Sequence, residues 1–423
     1  SETEMDASRQ WRLVAASFAT QAVAIGGTLG GVAVFMPPME AEFGASRAAL
    51  SWMVAIWNVV MGLAYPLVGR ALDRGSPRAL MLAGAAASGA SLLAIAAAPA
   101  LWQVELLFGV GTAIGTALLG PLASSTLIAR RVPENAGRAL GLANMGAPAG
   151  PVVAAPIAGW IVATHGWRPA FVAFGVATLV VGVLAVALGI EAEERAADAP
   201  PSAPPGAPLD AAPDAAPDAQ RSAPAPSDGA PAYLRAPAFW SLVVPVALVA
   251  STGIALSFHL VGVALERGAT LAAATALVSL NAAAAIAGNA GFGFLSDRVA
   301  PHRLFAAAIA LQAAACGALA ATGRQDLLVV ATCVFGFASG GTMPLYASLI
   351  TRHFGAAAFG RVMGAGALVG LPFTFVVPPL AGLAFDRTGS YAIALASAAV
   401  VLALAGVAIA TALGRPRAEA SAT

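Results

Sequence analysis

Apolar windows of about 20 residues, each able to cross roughly 30 Å of hydrocarbon as a helix, recur twelve times along the chain. They fall near 12–36, 48–71, 79–98, 101–128, 136–162 and 168–190, and again near 238–264, 271–296, 303–322, 326–351, 359–385 and 390–413. Lipid offers no water to exposed N–H and C=O groups, so a run of this length must close its backbone bonds within itself, as a helix. The expectation is an all-α membrane protein of twelve transmembrane helices. Only 10% of residues are charged, against the roughly 25% of soluble domains. The first window is too long for the apolar core of a signal peptide, and further spans follow it, so it reads as a helix that stays.

An even number of spans puts both termini on one side, and arginine says which. All 22 basic residues are Arg. Seventeen of them, Arg9, Arg12, Arg130 and Arg131 included, fall on the side of the termini, while Arg47, Arg168, Arg267, Arg324 and Arg387 fall opposite. Basic residues near span ends are retained in the cytoplasm, so both termini are expected there, in a multi-pass protein of the cytoplasmic (inner) membrane with lipid as its surround. A net charge of +1 makes no case for nucleic-acid binding.

A charged turn, GRALDRGSPR at Gly69 to Arg78, separates the second and third windows and returns as GFLSDRVAPHR from Gly293. Gly69 and Gly293, Asp73 and Asp297, and Arg74 and Arg298 are each 224 residues apart. At an offset of 223, Pro121 matches Pro344, Gly137-Arg138 matches Gly360-Arg361, Gly141 matches Gly364, Pro156 matches Pro379, Gly159 matches Gly382 and Gly166 matches Gly389. Such duplication predicts two pseudo-symmetric six-helix bundles, 1–190 and 237–423, with a solute site between them near the midplane. The stretch 191–236, rich in Ala, Pro and Asp, lacks the large apolar residues needed to fold and reads as a disordered cytoplasmic tether.

GRALDRGSPR resembles the loop after the second helix of the major facilitator superfamily, written G-x-x-x-D-R-x-G-R-R, and keeps Gly69, Asp73, Arg74 and Arg78. The resemblance extends over all twelve spans. It implies a conformational latch made of Gly69, Asp73, Arg74, Arg78, Gly293, Asp297 and Arg298: an Asp at a helix end can hold arginines of the next loop in one conformation and release them in another. A glycine there would let helices approach closely. The segments RRVPENAGRALGLANMGAPAGPVVAAPIAGW, FHLVGVALERG and GNAGFGFLSDR are similar to the bacterial monocarboxylate and oxalate/formate porter-like branch. Members of that branch commonly carry Arg directly after the glycine of the eighth helix; here Asn289 follows Gly288, and the eleventh helix has no Lys. A buried anion needs a paired cation or several donors, which weighs against a dicarboxylate. GAPAGPVVAA, from Gly146, also approximates the fifth-helix pattern of drug/proton antiporters.

Ionisable and polar groups inside spans are costly, so each needs a reason. Candidate solute-binding or proton-coupling residues are Asn289, through its position after Gly288; His259, which titrates near neutral pH when unperturbed; Glu105, a carboxylate within a span; and Gln21, Asn58, Asn144, Asn281 and Tyr346, which could line a central cavity or bond helix to helix. There is no metal-spaced His/Cys set, no phosphate-cradling loop and no nucleophile elbow, so neither enzyme, cofactor nor nucleotide-driven pump is expected. The expectation is a secondary transporter, monomeric, moving a small organic solute such as a monocarboxylate by alternating access with proton coupling. The alternative is a drug/proton antiporter exporting an amphipathic compound; a reading from another class is a membrane sensor signalling through its linker.

Overall fold

The structure, a computed structural model, describes residues 2–132, 136–190, 232–296, 298–321, 323–355 and 358–412, without the side chains of 2–8, 73, 129, 136–138 and 232. Twelve of its helices are long and apolar enough to cross a membrane. In the first half they are α1 (Arg9–Phe43), α2 (Arg47–Leu72), α3 (Pro77–Ala96), α4 (Leu101–Ile128), α5 (Ala139–His165) and α6 (Trp167–Gly189). In the second they are α7 (Pro237–Glu266), α8 (Leu271–Leu295), α9 (Pro301–Ala321), α10 (Gln325–Phe354), α11 (Phe359–Thr388) and α12 (Ala392–Ala412). Of the stretch read as a tether, Ala232–Arg235 form a helical turn and 191–231 lie outside the described residues.

Most span limits fall within a few residues of the apolar windows. The main departure is α1, which runs on to Phe43 through Pro37 and Pro38. Proline removes a donor, yet a membrane helix continues where neighbouring turns readjust to satisfy the freed carbonyls. Two spans relax locally: α1 widens to a π turn at Gly26–Gly30 and α4 at Leu107–Thr112. Two spans also break near their middles, α4 at Gly120 before Pro121 and α10 at Gly341 before Pro344.

The faces are named here by the chain: the proximal face holds the start of α1 and the end of α6, and the distal face lies opposite. The repeat read from glycine and proline extends to the bonds that join helices at the distal face. Ser46 caps α2 by accepting from the Ala49 amide, and Thr270, its register mate, caps α8 by accepting from the Ala273 amide. At the end of α1 the Glu42 carboxylate accepts from Trp167 Nε1 and Arg168 Nη2, both at 2.6 Å, tying it to the start of α6. Its mate Glu266, ending α7, accepts from Ser390 Oγ at 2.6 Å and the Tyr391 amide at 3.0 Å, tying it to the start of α12. Each half therefore fastens its first helix to its sixth with one carboxylate. Inside each half the same helices pair lengthwise, α3 with α6 and α9 with α12.

Gly166 and Gly389 end α5 and α11 at φ of 87° and 71°, where a Cβ would crowd the following carbonyl. Gly389→Val is expected to cost about 1–2 kcal/mol. The check is thermal unfolding of the detergent-solubilised protein: Gly389→Val should lower the midpoint, while Gly317→Ala, on an ordinary turn of α9 with room for a methyl group, should leave it unchanged or raised.

Candidate functional site

Between the halves, α1, α2, α7 and α10 enclose a cavity of about 280 Å³. Ser339 lies 14 residues into α10, or roughly 21 Å along its axis at 1.5 Å per residue, which places the cavity near mid-span. Nine of its twelve lining residues are apolar, with Leu29, Val32 and Val54 on the first half and Ile254, Phe258 and Met343 among those on the second. The other three are hydroxyl residues of the second half, Ser257, Ser339 and Thr342. Thr342 is 7% exposed and its Oγ1 has no hydrogen-bond partner among the described residues. A membrane-helix threonine usually bonds the carbonyl four residues back, as Thr28 does to Ala24 at 2.6 Å. Thr342 makes no such bond, one residue past the break in α10 at Gly341.

On the distal side the halves close over this cavity. The Asp386 carboxylate, at the end of α11, accepts from the backbone amides of Arg47 and Ala48, both at 2.9 Å. Those are among the opening amides of α2, which lack partners in their own helix and carry its positive dipole end, so a carboxylate is the fitting cap. The Arg47 guanidinium bonds Glu40 at 2.8 Å and stacks 3.5 Å over the Phe385 ring. A Cβ at Gly382 would lie 2.7 Å from the Ala48 amide nitrogen, so only glycine lets α11 pass this near the start of α2. Trp52 and Phe375 stack at 5.0 Å one level further in. The second seam joins α5 to α8, where Gly159 packs on Thr275 and Ser279 Oγ donates to Val152 O at 2.9 Å.

On the proximal side the glycines of these helices make no such close approach. Gly69 of α2 and Gly360 and Gly364 of α11 would each find open space around an added Cβ, as would Gly141 of α5 and Gly293 of α8. The cavity is therefore shut distally, and no such contact is seen at the proximal glycines.

A twelve-helix, two-bundle architecture closing over a mid-span cavity from one side has clear relatives. The family model described as "Major Facilitator Superfamily" matches residues 18–370 and 246–423. The chain belongs to the Major Facilitator Superfamily. Rat monocarboxylate transporter 12 is 24% identical over 373 residues, 85% of this chain and 76% of that protein. A multidrug resistance protein B homologue of Mycobacterium tuberculosis is 26% identical over 137 residues, 32% of this chain, and the match spans only about a quarter of that protein's length. The crystal structure of a bacterial homologue of the human lysosomal transporter Spinster, in an inward-facing and unoccupied conformation, superposes with a TM-score of 0.71 at 17% identity, covering 95% of this chain and 96% of that one. These are transporters rather than enzymes.

Within this facilitator fold, the polar residues singled out by sequence go to different places. Gln21 is fully buried and donates to Ser124 Oγ at 2.8 Å and Asn144 Oδ1 at 3.1 Å, so it joins α1, α4 and α5. Asn144 also accepts from Ser125 at 3.1 Å. Asn58 turns back on its own helix, donating to Val54 O at 2.8 Å. Asn281 packs its backbone on Gly336 of α10, and Tyr346 sets its hydroxyl against Gly366 of α11. Gly288 is small because Phe337 of α10 passes directly over it, and Asn289 beside it is exposed. Glu105 is part-buried in α4, one turn from the distal end. None of these eight, His259 included, lines the central cavity.

His259 instead belongs to the distal closure. It is 2% exposed, with Nε2 3.0 Å from Pro378 O and 3.4 Å from Ser51 Oγ, and Nδ1 3.0 Å from Tyr391 Oη. A carbonyl only accepts, so Nε2–H donates to Pro378 and, in the neutral ring, Nδ1 accepts from the phenol. Burial holds the Tyr391 phenol well above the ordinary tyrosine range, which keeps it a donor. The ring thus links α7 and α11 beneath the residue, Ser51, that faces it from the other half.

Of the proximal latch, the Asp73 side chain and Asp297 lie outside the described residues. Gly69 and Gly293 do not bring helices together, because open space surrounds both. Arg74 is exposed, Arg78 reaches Ala187 O at 3.4 Å and Arg298, just past α8, stacks 4.4 Å over Phe294 at the end of that helix. The distal residues Arg47, Asp386, Glu40 and Tyr391 were missed, since charges at span ends read as interface anchors. Asp386 is exposed, so its two bonds are screened. Asp386→Ala is expected to weaken distal closure by about 1 kcal/mol, roughly fivefold in the distal-open population. Spin-label distances across the distal ends of α2 and α11 check this, and added salt should reproduce part of the shift.

Proposed function

We propose that the protein is a secondary transporter that moves a small organic solute, a monocarboxylate or similar metabolite, by alternating access, with protons as the coupling ion. The observation that carries this reading is a mid-span cavity between two halves whose seams are shut on the distal face and hold no close glycine contact on the proximal one. A cavity of about 280 Å³ sits at the bottom of the range for drug-sized ligands, which supports a small solute. The full-length similarity to a monocarboxylate transporter supports the class. With arginine concentrated on the proximal face, that face is cytoplasmic, the membrane is the cell's inner one and the conformation is inward-open. Residues 191–236 tether two bundles, 1–190 and 237–423, and the carrier works as a monomer in lipid.

In this cycle the Asp386 contact and the Arg47 stack hold the distal gate shut while the solute leaves to the cytoplasm. The turns at Asp73 and Asp297 hold the opposite gate in the outward-open state. A second reading, export of an amphipathic compound by proton antiport, draws on the apolar cavity wall, on Pro151 and Pro156 within α5, and on the mycobacterial similarity.

Uptake of radiolabelled 2-hydroxypropionate into proteoliposomes, corrected for protein-free vesicles, should rise several-fold under an inward proton gradient. No protein-dependent uptake, alongside raised drug sensitivity in a deletion strain, would select the second reading. Asp73→Asn is expected to slow turnover while leaving the half-saturating concentration nearly unchanged, because the residue lies far from mid-span. A large loss of affinity at intact turnover would count against the proximal latch.

A further inference from the structure

Resting on the transporter reading above, we infer that the central cavity binds its solute uncharged: a monocarboxylic acid enters it in the undissociated form, held by the hydroxyls of Ser257, Ser339 and Thr342. The coupling proton then travels on the solute and not on a side chain of the protein.

The argument begins with what faces the cavity. No titratable group lines it among the described residues. The four helices that build it carry their charges elsewhere. On α1, Arg9 and Arg12 stand at the proximal end and Glu40 and Glu42 at the distal end; on α2, Arg47 is distal and Arg70 proximal. On α7, Glu266 is tied to Ser390 and Tyr391, and His259 is committed to Pro378 and Tyr391 on the far side of its helix. On α10, Asp326 pairs with Arg324 at the distal end, Arg352 and His353 stand at the proximal end, and Tyr346 points to Gly366.

A carboxylate moved from water into such a place would lose its hydration and meet no cation, a penalty that ionisable groups ordinarily avoid by neutralising. The undissociated acid has one O–H donor and a carbonyl acceptor, and hydroxyl groups supply both complements. Ser339 Oγ donates to Gly336 O at 2.8 Å, which leaves its lone pairs facing the cavity as acceptors for the acid proton. Thr342 Oγ1, nearly buried and without a partner among the described residues, is free to donate to the acid carbonyl. The apolar wall of Leu29, Val32, Val54 and Ile254 takes the hydrocarbon body. The balance is simple: the acid picks up its proton in water on one side, crosses intact and releases it to water on the other, so one proton moves per solute and no net charge does.

The test is calorimetric binding to the full-length purified protein in detergent, with isobutyrate and its neutral isostere isobutyramide as probes, from about pH 5 to about pH 8. The apparent affinity for the acid should fall about tenfold per unit of pH above the acid's own pKa, since only the undissociated fraction binds, while that for the amide stays flat. Thr342→Val should weaken both probes about fivefold, and Thr342→Ser should restore them. Isobutyrate binding that is independent of pH, with no amide binding, would overturn the inference by showing that the anion is the bound species. So would an amide affinity that falls in parallel with the acid, because the protein would then be what titrates, and so would Thr342→Val without effect. Neither probe binding, while 2-hydroxypropionate uptake persists, would overturn this inference and leave the transporter reading standing; loss of uptake as well would overturn both.

Discussion

The amides of Arg47 and Ala48 open α2 with no partner in their own helix, and a carboxylate from the other half of the molecule meets them. A capped helix end normally uses a residue of its own loop, as Ser46 does for Ala49 here, so that the cap stays whatever the rest of the protein does. Borrowing Asp386 from α11 makes a helix end depend on where the other half stands. The contact is water-reachable and worth little alone. Combined with the Phe385–Arg47 stack and the close approach that Gly382 allows, it adds up to the few kcal/mol that can hold one state without making it permanent.

The duplicated plan separates lasting contacts from this reversible one. The carboxylates that tie the first helix of each half to its sixth, Glu42 and Glu266, occupy matching positions in the repeat, and both act within a half. Asp386 does not repeat: its register mate is Ala163. The α5–α8 seam accordingly closes without charge, through Gly159 on Thr275 and one hydroxyl-to-carbonyl bond from Ser279. The second half thus supplies the carboxylate of the distal closure and the first half its Arg47–Glu40 pair, while the His259–Tyr391–Pro378 cluster behind them ties α7 to α11.

The spans and the twofold plan were legible because they rest on bulk properties, apolar length and glycine or proline at fixed offsets, that lipid and close packing impose regardless of detail. The site was not, because polarity within a span has more than one outlet. Gln21 and Asn144 stood out as polar and turned out to bond each other, with Ser124, in a tie between α1, α4 and α5. Asn58 satisfied its own backbone. Ser257, Ser339 and Thr342 did not stand out, since hydroxyls within spans usually bond the preceding turn and leave no trace in sequence. One signal was available: the match of Pro344 with Pro121 marks the mid-span break in α10, beside which Ser339 and Thr342 stand. Arg47 and Asp386 were hidden by position, for at a span end a gate charge and an anchor look alike.

A cavity without fixed charge has a consequence for the return half of the cycle. A carrier whose site holds a buried cation must desolvate that charge whenever the empty cavity occludes, at a cost that favours returning only with an anion aboard. Here the occluding surfaces are aliphatic side chains and three hydroxyls, so the empty cavity closes with little electrostatic penalty. In the alternating-access cycle proposed above, reorientation without solute is then inexpensive, and obligatory exchange is not built into the site. In the proposed cycle the cost of direction is shifted to the gates, where the exposed Asp386 makes and breaks its bonds in water while the largely covered Arg47 keeps Glu40, of its own half, as its ion partner. Charge at the rims and none at mid-span is the division that lets one apolar crevice face both sides of a membrane in turn.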